Sequence, residues 1–285
     1  IRRQRQMCIR DRFRNMGPAA QKKKVVIVGG GPAGMSAALT TAHRGHEVIV
    51  FEKADKLGGG GQFMLATIPP FKDDLSFIPG YYQRELQELN NVNVYFDTEA
   101  DVERVLQEKP DAVIIATGAR PLIPDLPGVE NPHVITYEDA LLGRKPVGDH
   151  TVVLGGGEVG CETALYLLKK GIHVTILEMV WRLLDDVELS TRNTLMKELT
   201  EGGAEMVAGA TVASISGNDV YYIKEGKDAT ARGDTIVLAL GSKPENQLYY
   251  DLMDRVLALH LVGDAKKPRQ ILEAVSEGFY AGYYL

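Results

Sequence analysis

Cysteine is nearly absent: Cys8 and Cys161 are the only two in 285 residues, far apart and in unlike surroundings. A disulfide framework and a cysteine-held metal centre are therefore both excluded from this chain alone, and a reducing, cytoplasmic setting is the default expectation. An excess of positive charge is lacking too. The net charge of -6 and isoelectric point near 5.6 speak against nucleic acid or an anionic membrane as main partner. The uncharged run at residues 25–42 is interrupted by four glycines and a proline, a poor membrane span. The first 16 residues, IRRQRQMCIRDRFRNM, have no apolar core and do not read as a signal peptide. Residues 1–22 are expected to be a disordered tail or the remnant of a preceding segment.

What is present is a repeat. Residues 25–52, VVIVGGGPAGMSAALTTAHRGHEVIVFE, match residues 152–178, VVLGGGEVGCETALYLLKKGIHVTILE. Each copy runs from an apolar strand through GxGxxG into a helix, a glycine turn and a second strand closing on glutamate. DAVIIATGARP (111–121) follows the first copy and DTIVLALGSKP (234–244) the second. The predicted fold class is α/β, two Rossmann-like dinucleotide-binding domains with the second inserted in the first. The expected boundaries are 23–120 plus 245–285 for the first domain, 149–244 for the second and a proline-rich linker at 121–148.

The glycines have distinct jobs. Gly29 and Gly155 permit the turn, Gly31 and Gly157 let backbone approach a pyrophosphate, and Gly34 and Gly160 allow close packing. The helix N-terminus then faces the phosphates. Glu52 and Glu178 fall where an acid would accept from ribose hydroxyls. Glu178 would repel a 2′-phosphate and favours NADH; Arg182, close by in sequence, keeps NADPH open. Val262, Gly263 and Asp264 are expected to end a strand just before a helix, so that Asp264 would accept from a flavin ribityl hydroxyl while the helix end offers positive potential. His43 and His46, in HRGH, read as a solvated loop and not a metal site. Cys161, at a helix start, reads as a small packed residue. The tyrosine pairs 81/82, 249/250 and 283/284 read as packing or interface residues.

Together, VVIVGGGPAGMSAA, GQFMLATIPPFK, DAVIIATGARPLIPDLPG, GGGEVGCETA and VGDAKKPRQILEAVSEGF resemble the C-terminal half of the 2,4-dienoyl-CoA reductase, trimethylamine dehydrogenase and 2-enoate reductase family, from about Met16 onward. The resemblance implies FAD at Gly29, Gly31, Pro32, Ala33, Gly34, Glu52, Lys53, Gly59, Gln62, Thr117, Gly118, Gly263 and Asp264, and NAD(P)H at Gly155, Gly157, Gly160, Glu178 and Gly241. It implies no substrate-directed catalytic residue in this chain. Electrons would run from NAD(P)H to FAD and then, in full-length relatives, through [4Fe-4S] and FMN in a barrel domain or subunit to an enoate or enoyl-CoA. Hydride would pass from nicotinamide C4 to flavin N5 once the rings stack about 3 to 3.5 Å apart. The family shows two glycines before the glutamine; Gly58 to Gly61 make four here, beside the expected flavin. A thioredoxin-reductase type of disulfide reductase shares the layout but needs a close cysteine pair. A non-catalytic module holding ADP or FAD is the alternative.

Overall fold

The computed structural model describes residues 16–285, so Cys8 and most of the basic tail, with the expectations for them, lie outside the described residues. Residues 17–19 are fastened to the end of the first helix: Ala19 N–H donates to the Arg44 carbonyl at 2.8 Å, and the Arg44 guanidinium to the Gly17 carbonyl at 2.6 Å. Among the described residues, no helix is long and apolar enough to cross a membrane. The chain divides into two compact units. One takes residues up to 64, 76–119 and 244–285, and the other 65–75 and 120–243.

The first unit is built on β1 (Lys24–Val28), β2 (Glu47–Phe51), β3 (Val92–Tyr95), β4 (Ala112–Ile115) and β15 (Leu259–Leu261), in the order β15-β4-β1-β2-β3. All its pairings are parallel. The central strands read KVVIV and AVII because a parallel sheet is covered on both faces and has no side for polar groups. Helix α1 (Pro32–His43) starts on Gly31 as N-cap with Pro32 at its first position, where a missing N–H costs nothing. The unit also holds most of α2 (Gly61–Ala66), α3 (Phe77–Gln87), α4 (Val102–Gln107), α8 (Gln247–Leu252) and α9 (Ile271–Tyr283). α9 lies backbone to backbone on α1: a Cβ at Gly278 would fall 2.0 Å from the Ala33 carbonyl oxygen, and one at Gly282 2.6 Å from Thr41 Oγ1.

The second unit repeats the plan with β6 (Val134–Thr136), β7 (His150–Leu154), β8 (His173–Glu178), β9 (Glu205–Ala208) and β13 (Thr235–Leu238), ordered β6-β13-β7-β8-β9 and again wholly parallel. Its helices are α5 (Tyr137–Leu141), α6 (Glu158–Lys169) and α7 (Leu189–Glu201). An antiparallel meander, β10 (Ala210–Ser216), β11 (Asp219–Lys224) and β12 (Lys227–Arg232), is added. The two short strands where the chain passes between units, β5 (Ala119–Pro121) and β14 (Ser242–Pro244), pair with each other.

Two sequence expectations change. Residues 121–148 are more than a linker: they supply β6, an edge strand of the second sheet, and α5, which is held by a capping box between Thr136 and Asp139. Residues 65–75, expected in the first domain, belong to the second unit. Leu65 and Ile68 enter its apolar cluster, and the Lys72 ammonium pairs with Glu162 and, at 3.4 Å, with Glu158.

Candidate dinucleotide sites

Each unit carries a rim of glycines and one glutamate at the C-terminal edge of its sheet, and the two rims match bond for bond. Gly29 (φ 105°) and Gly155 (φ 109°) make the strand-to-helix turn in backbone that L side chains rarely adopt. A Cβ on either would lie 2.3 Å from a carbonyl oxygen, that of Ala116 or Ala239. The next amide, Gly30 or Gly156, donates at 2.5 Å to Glu52 or Glu178 Oε2. The other oxygen of each carboxylate accepts from the residue two further on, Ala54 at 2.7 Å and Val180 at 2.9 Å. Two amides leave lone pairs on each carboxylate for a vicinal diol.

The correspondence runs further than the motif. Gly58 N–H donates to the Gly30 carbonyl at 2.9 Å, and Leu184 N–H to the Gly156 carbonyl at 2.8 Å. Gly58 has φ 62° and Leu184 φ 54°, so the second site keeps a buried leucine in the left-handed region where the first has glycine. Leu57 and Leu183 cover Gly30 and Gly156 in the same way. No motif marks these positions; only aligning the copies past the acids would have found them. Gly58, first of the four consecutive glycines, thus has a defined place, and Gly61 opens α2.

Around Gly31 and Gly157 a Cβ would meet nothing within 4 Å, whereas at Gly34 and Gly160 it would fall 1.8 and 1.9 Å from the carbonyl oxygens of Gly29 and Gly155. The middle glycine borders open space and the third is locked against backbone. Neither α1 nor α6 has a side-chain cap on its first amides. These orphan donors, with the positive end of the helix dipole, suit a pyrophosphate. The residues fit a dinucleotide in both units.

The remaining first-unit residues gather on the same sheet edge. Gly263 presses on Ala33, with a built Cβ 2.8 Å from the Ala33 methyl. The Thr117 hydroxyl donates to the Glu245 carbonyl, and Glu245 N–H donates to the Gly118 carbonyl at 2.9 Å. The Gln62 amide reaches the Ala119 carbonyl at 3.4 Å. Gly59 packs on Lys56, and Lys53 is exposed. In the second unit Gly241 (φ 99°) is exposed, its carbonyl accepting from Leu122 N–H at 3.0 Å.

Asp264 departs from expectation. Gly263–Ala265 is a single 3-10 turn, and α9 begins only at Ile271. Pro268 lies between them, lacking an N–H and turning its predecessor from the helical region. No helix dipole therefore points from Asp264. Burial raises the Asp264 carboxyl above its usual range, against the opposing pull of Arg269, whose N–H it accepts at 3.1 Å. Glu277, which sequence reading missed, takes the Gly263 N–H at 2.9 Å and pairs with Arg269.

His43 is exposed, but His46 is fully buried, its Nδ1 accepting from Lys23 N–H at 3.1 Å. Burial, then Lys23 and Arg44, hold its pKa low; it is a packed neutral ring and not part of a solvated loop. Among the described residues no cluster of three or more His, Cys, Asp or Glu is arranged for a metal. Cys161 is fully buried, and burial, then Glu178 and Glu162, push its thiol up to about 12. Peptide mapping after brief treatment with a thiol reagent should find Cys161 unmodified in native protein and modified in denaturant. Native labelling would show an opening absent from this structure.

A pyridine nucleotide-disulphide oxidoreductase model matches residues 23–258. An NADH oxidase of Thermoanaerobacter brockii is 39% identical over 94% of this chain and 42% of its own length. A cinnamate reductase of Clostridium sporogenes is 32% identical over 94% of this chain and 40% of its own length. The structure of a 2-naphthoyl-CoA reductase complex superposes with a TM-score of 0.89 at 30% identity, covering 95% of this chain and 41% of that one. The structure of T. acidophilum thioredoxin reductase superposes with a TM-score of 0.68 at 21% identity over 92% and 98% of the two chains, a likeness of fold alone. The chain spans about two fifths of the length of these curated relatives, so those proteins carry more than this pair of units. With matched rims on two parallel sheets and a family model across most of its length, the chain belongs to the pyridine nucleotide-disulphide oxidoreductase family.

Proposed function

We propose that the first unit holds FAD and the second NADH, and that the chain passes reducing equivalents from the nicotinamide to the flavin and onward. The observation that carries this reading is the bond-for-bond match of the two rims, down to Gly58 and Leu184. The orphan amides of α1 and α6 would receive the pyrophosphates, and Glu52 and Glu178 the adenosine riboses. Bound FAD would supply the two-electron acceptor for the nicotinamide hydride.

NADH is favoured over NADPH by two side chains. The Glu178 carboxylate opposes a 2′-phosphate, and Arg182, which would have welcomed one, donates from Nε to Asp185 Oδ1 at 2.6 Å. In the longer proteins to which such a chain would belong, electrons would continue through [4Fe-4S] and FMN to an enoate or enoyl-CoA. Protein loaded with FAD and mixed anaerobically with NADH should lose its flavin absorbance, with NADPH at least about tenfold less efficient, an electrostatic penalty of roughly 1.4 kcal/mol. Absence of bleaching with either nucleotide would remove the proposal.

A further inference from the structure

The two rims differ most in the loop after the acid. The first reads Lys53, Ala54, Asp55, Lys56 and the second Met179, Val180, Trp181, Arg182. Trp181 is the only tryptophan in the chain and is 71% exposed. Met179 and Val180 before it are exposed as well, so three consecutive apolar side chains face solvent after the acid.

This ring is held in place. Gly209 N–H donates to the Val180 carbonyl at 3.0 Å, and a Cβ at Gly209 would lie 2.7 Å from Trp181 Cζ3, so the indole rests against bare backbone. Val180 N–H is tied to Glu178, and Leu184 N–H to Gly156, which clamps the loop onto the fingerprint at both ends. An adenine is bonded to C1′ of its ribose, next to the hydroxyl that Glu178 would take. The base would therefore leave the sugar beside that carboxylate, and Trp181 stands three residues further along the same loop.

We propose that Trp181 is the adenine platform of the second site, stacking on the base while Glu178 holds the sugar. This rests on the reading of that site as a nicotinamide dinucleotide site. Stacking on an aromatic face is tolerant of base edges and is lost with the ring.

The test uses the FAD-loaded chain and ADP-ribose, which carries adenine but no nicotinamide. Emission from the single tryptophan should change saturably with ADP-ribose. By calorimetry, which needs no indole, Trp181→Leu should weaken ADP-ribose and NADH about tenfold, whereas Trp181→Phe should stay within about threefold of the parent. Undiminished binding by Trp181→Leu, with the parent binding both ligands, would overturn the platform alone. A parent chain that binds neither would overturn the NADH site and this inference with it.

Discussion

Gly31→Ala should give a folded but colourless protein. Gly31 has ordinary extended backbone (φ −75°, ψ −174°), and an added methyl would enter open space, so nothing in the chain resists it. The loss at a helix N-cap is at most about 1 kcal/mol, a few degrees in Tm for a domain of this size. The methyl does occupy the approach of a pyrophosphate to the α1 amides. A displacement of about 1 Å at such a site costs on the order of a hundredfold. FAD content after reconstitution and a thermal melt check both halves. Gly157→Ala, identical in geometry, should stay yellow and near parental Tm yet reduce with NADH on the order of a hundredfold less efficiently. Normal FAD retention by Gly31→Ala would mean that the pyrophosphate does not lie at the α1 N-terminus.

The neighbouring glycines should behave in the opposite sense. Gly34→Ala and Gly160→Ala each place a methyl 1.8 to 1.9 Å from a carbonyl oxygen of the turn, with no flexible side chain to yield. Either the helix lifts from its strand or the turn distorts. Overpacking of this kind costs on the order of 3 kcal/mol or more, and thermal melts should show a fall of roughly 10 °C. Melts within two degrees of the parent would mean that the close helix-to-turn contact is absent in solution. Four alanines in equivalent places thus separate a ligand-facing glycine from a packing glycine twice over.

Much of this was legible because the repeat supplied its own control. An apolar strand, GxGxxG and a terminal glutamate, found twice in one chain, fix the hydrogen bonds of a parallel sheet and its first crossover with few alternatives. What escaped had no local signal. β6 is three residues, VIT, inside a proline-rich stretch, and becomes a strand only because β13 has a free edge. In β11 and β12, DVYYIK and KDATAR, half-exposed polar residues blur the alternation that marks a strand. Residues 65–75 read in sequence as part of the first domain, because their allegiance to the second comes only from Leu65, Ile68 and Lys72 finding partners far along the chain. Around Asp264 the glycine and strand end were readable, but not that Pro268 would delay α9 to Ile271.

The edge strands β6 and β15 carry a consequence for biosynthesis. The second sheet has all its strands once residue 238 has been translated, since β6 precedes the rest. The first lacks β15 until residue 261 and the helix that covers α1 until residue 283. On the ribosome the domain begun first is therefore finished last, and until then the small-residue face of α1 and the open side of β4 stand exposed to chaperones, proteases and misdirected strands.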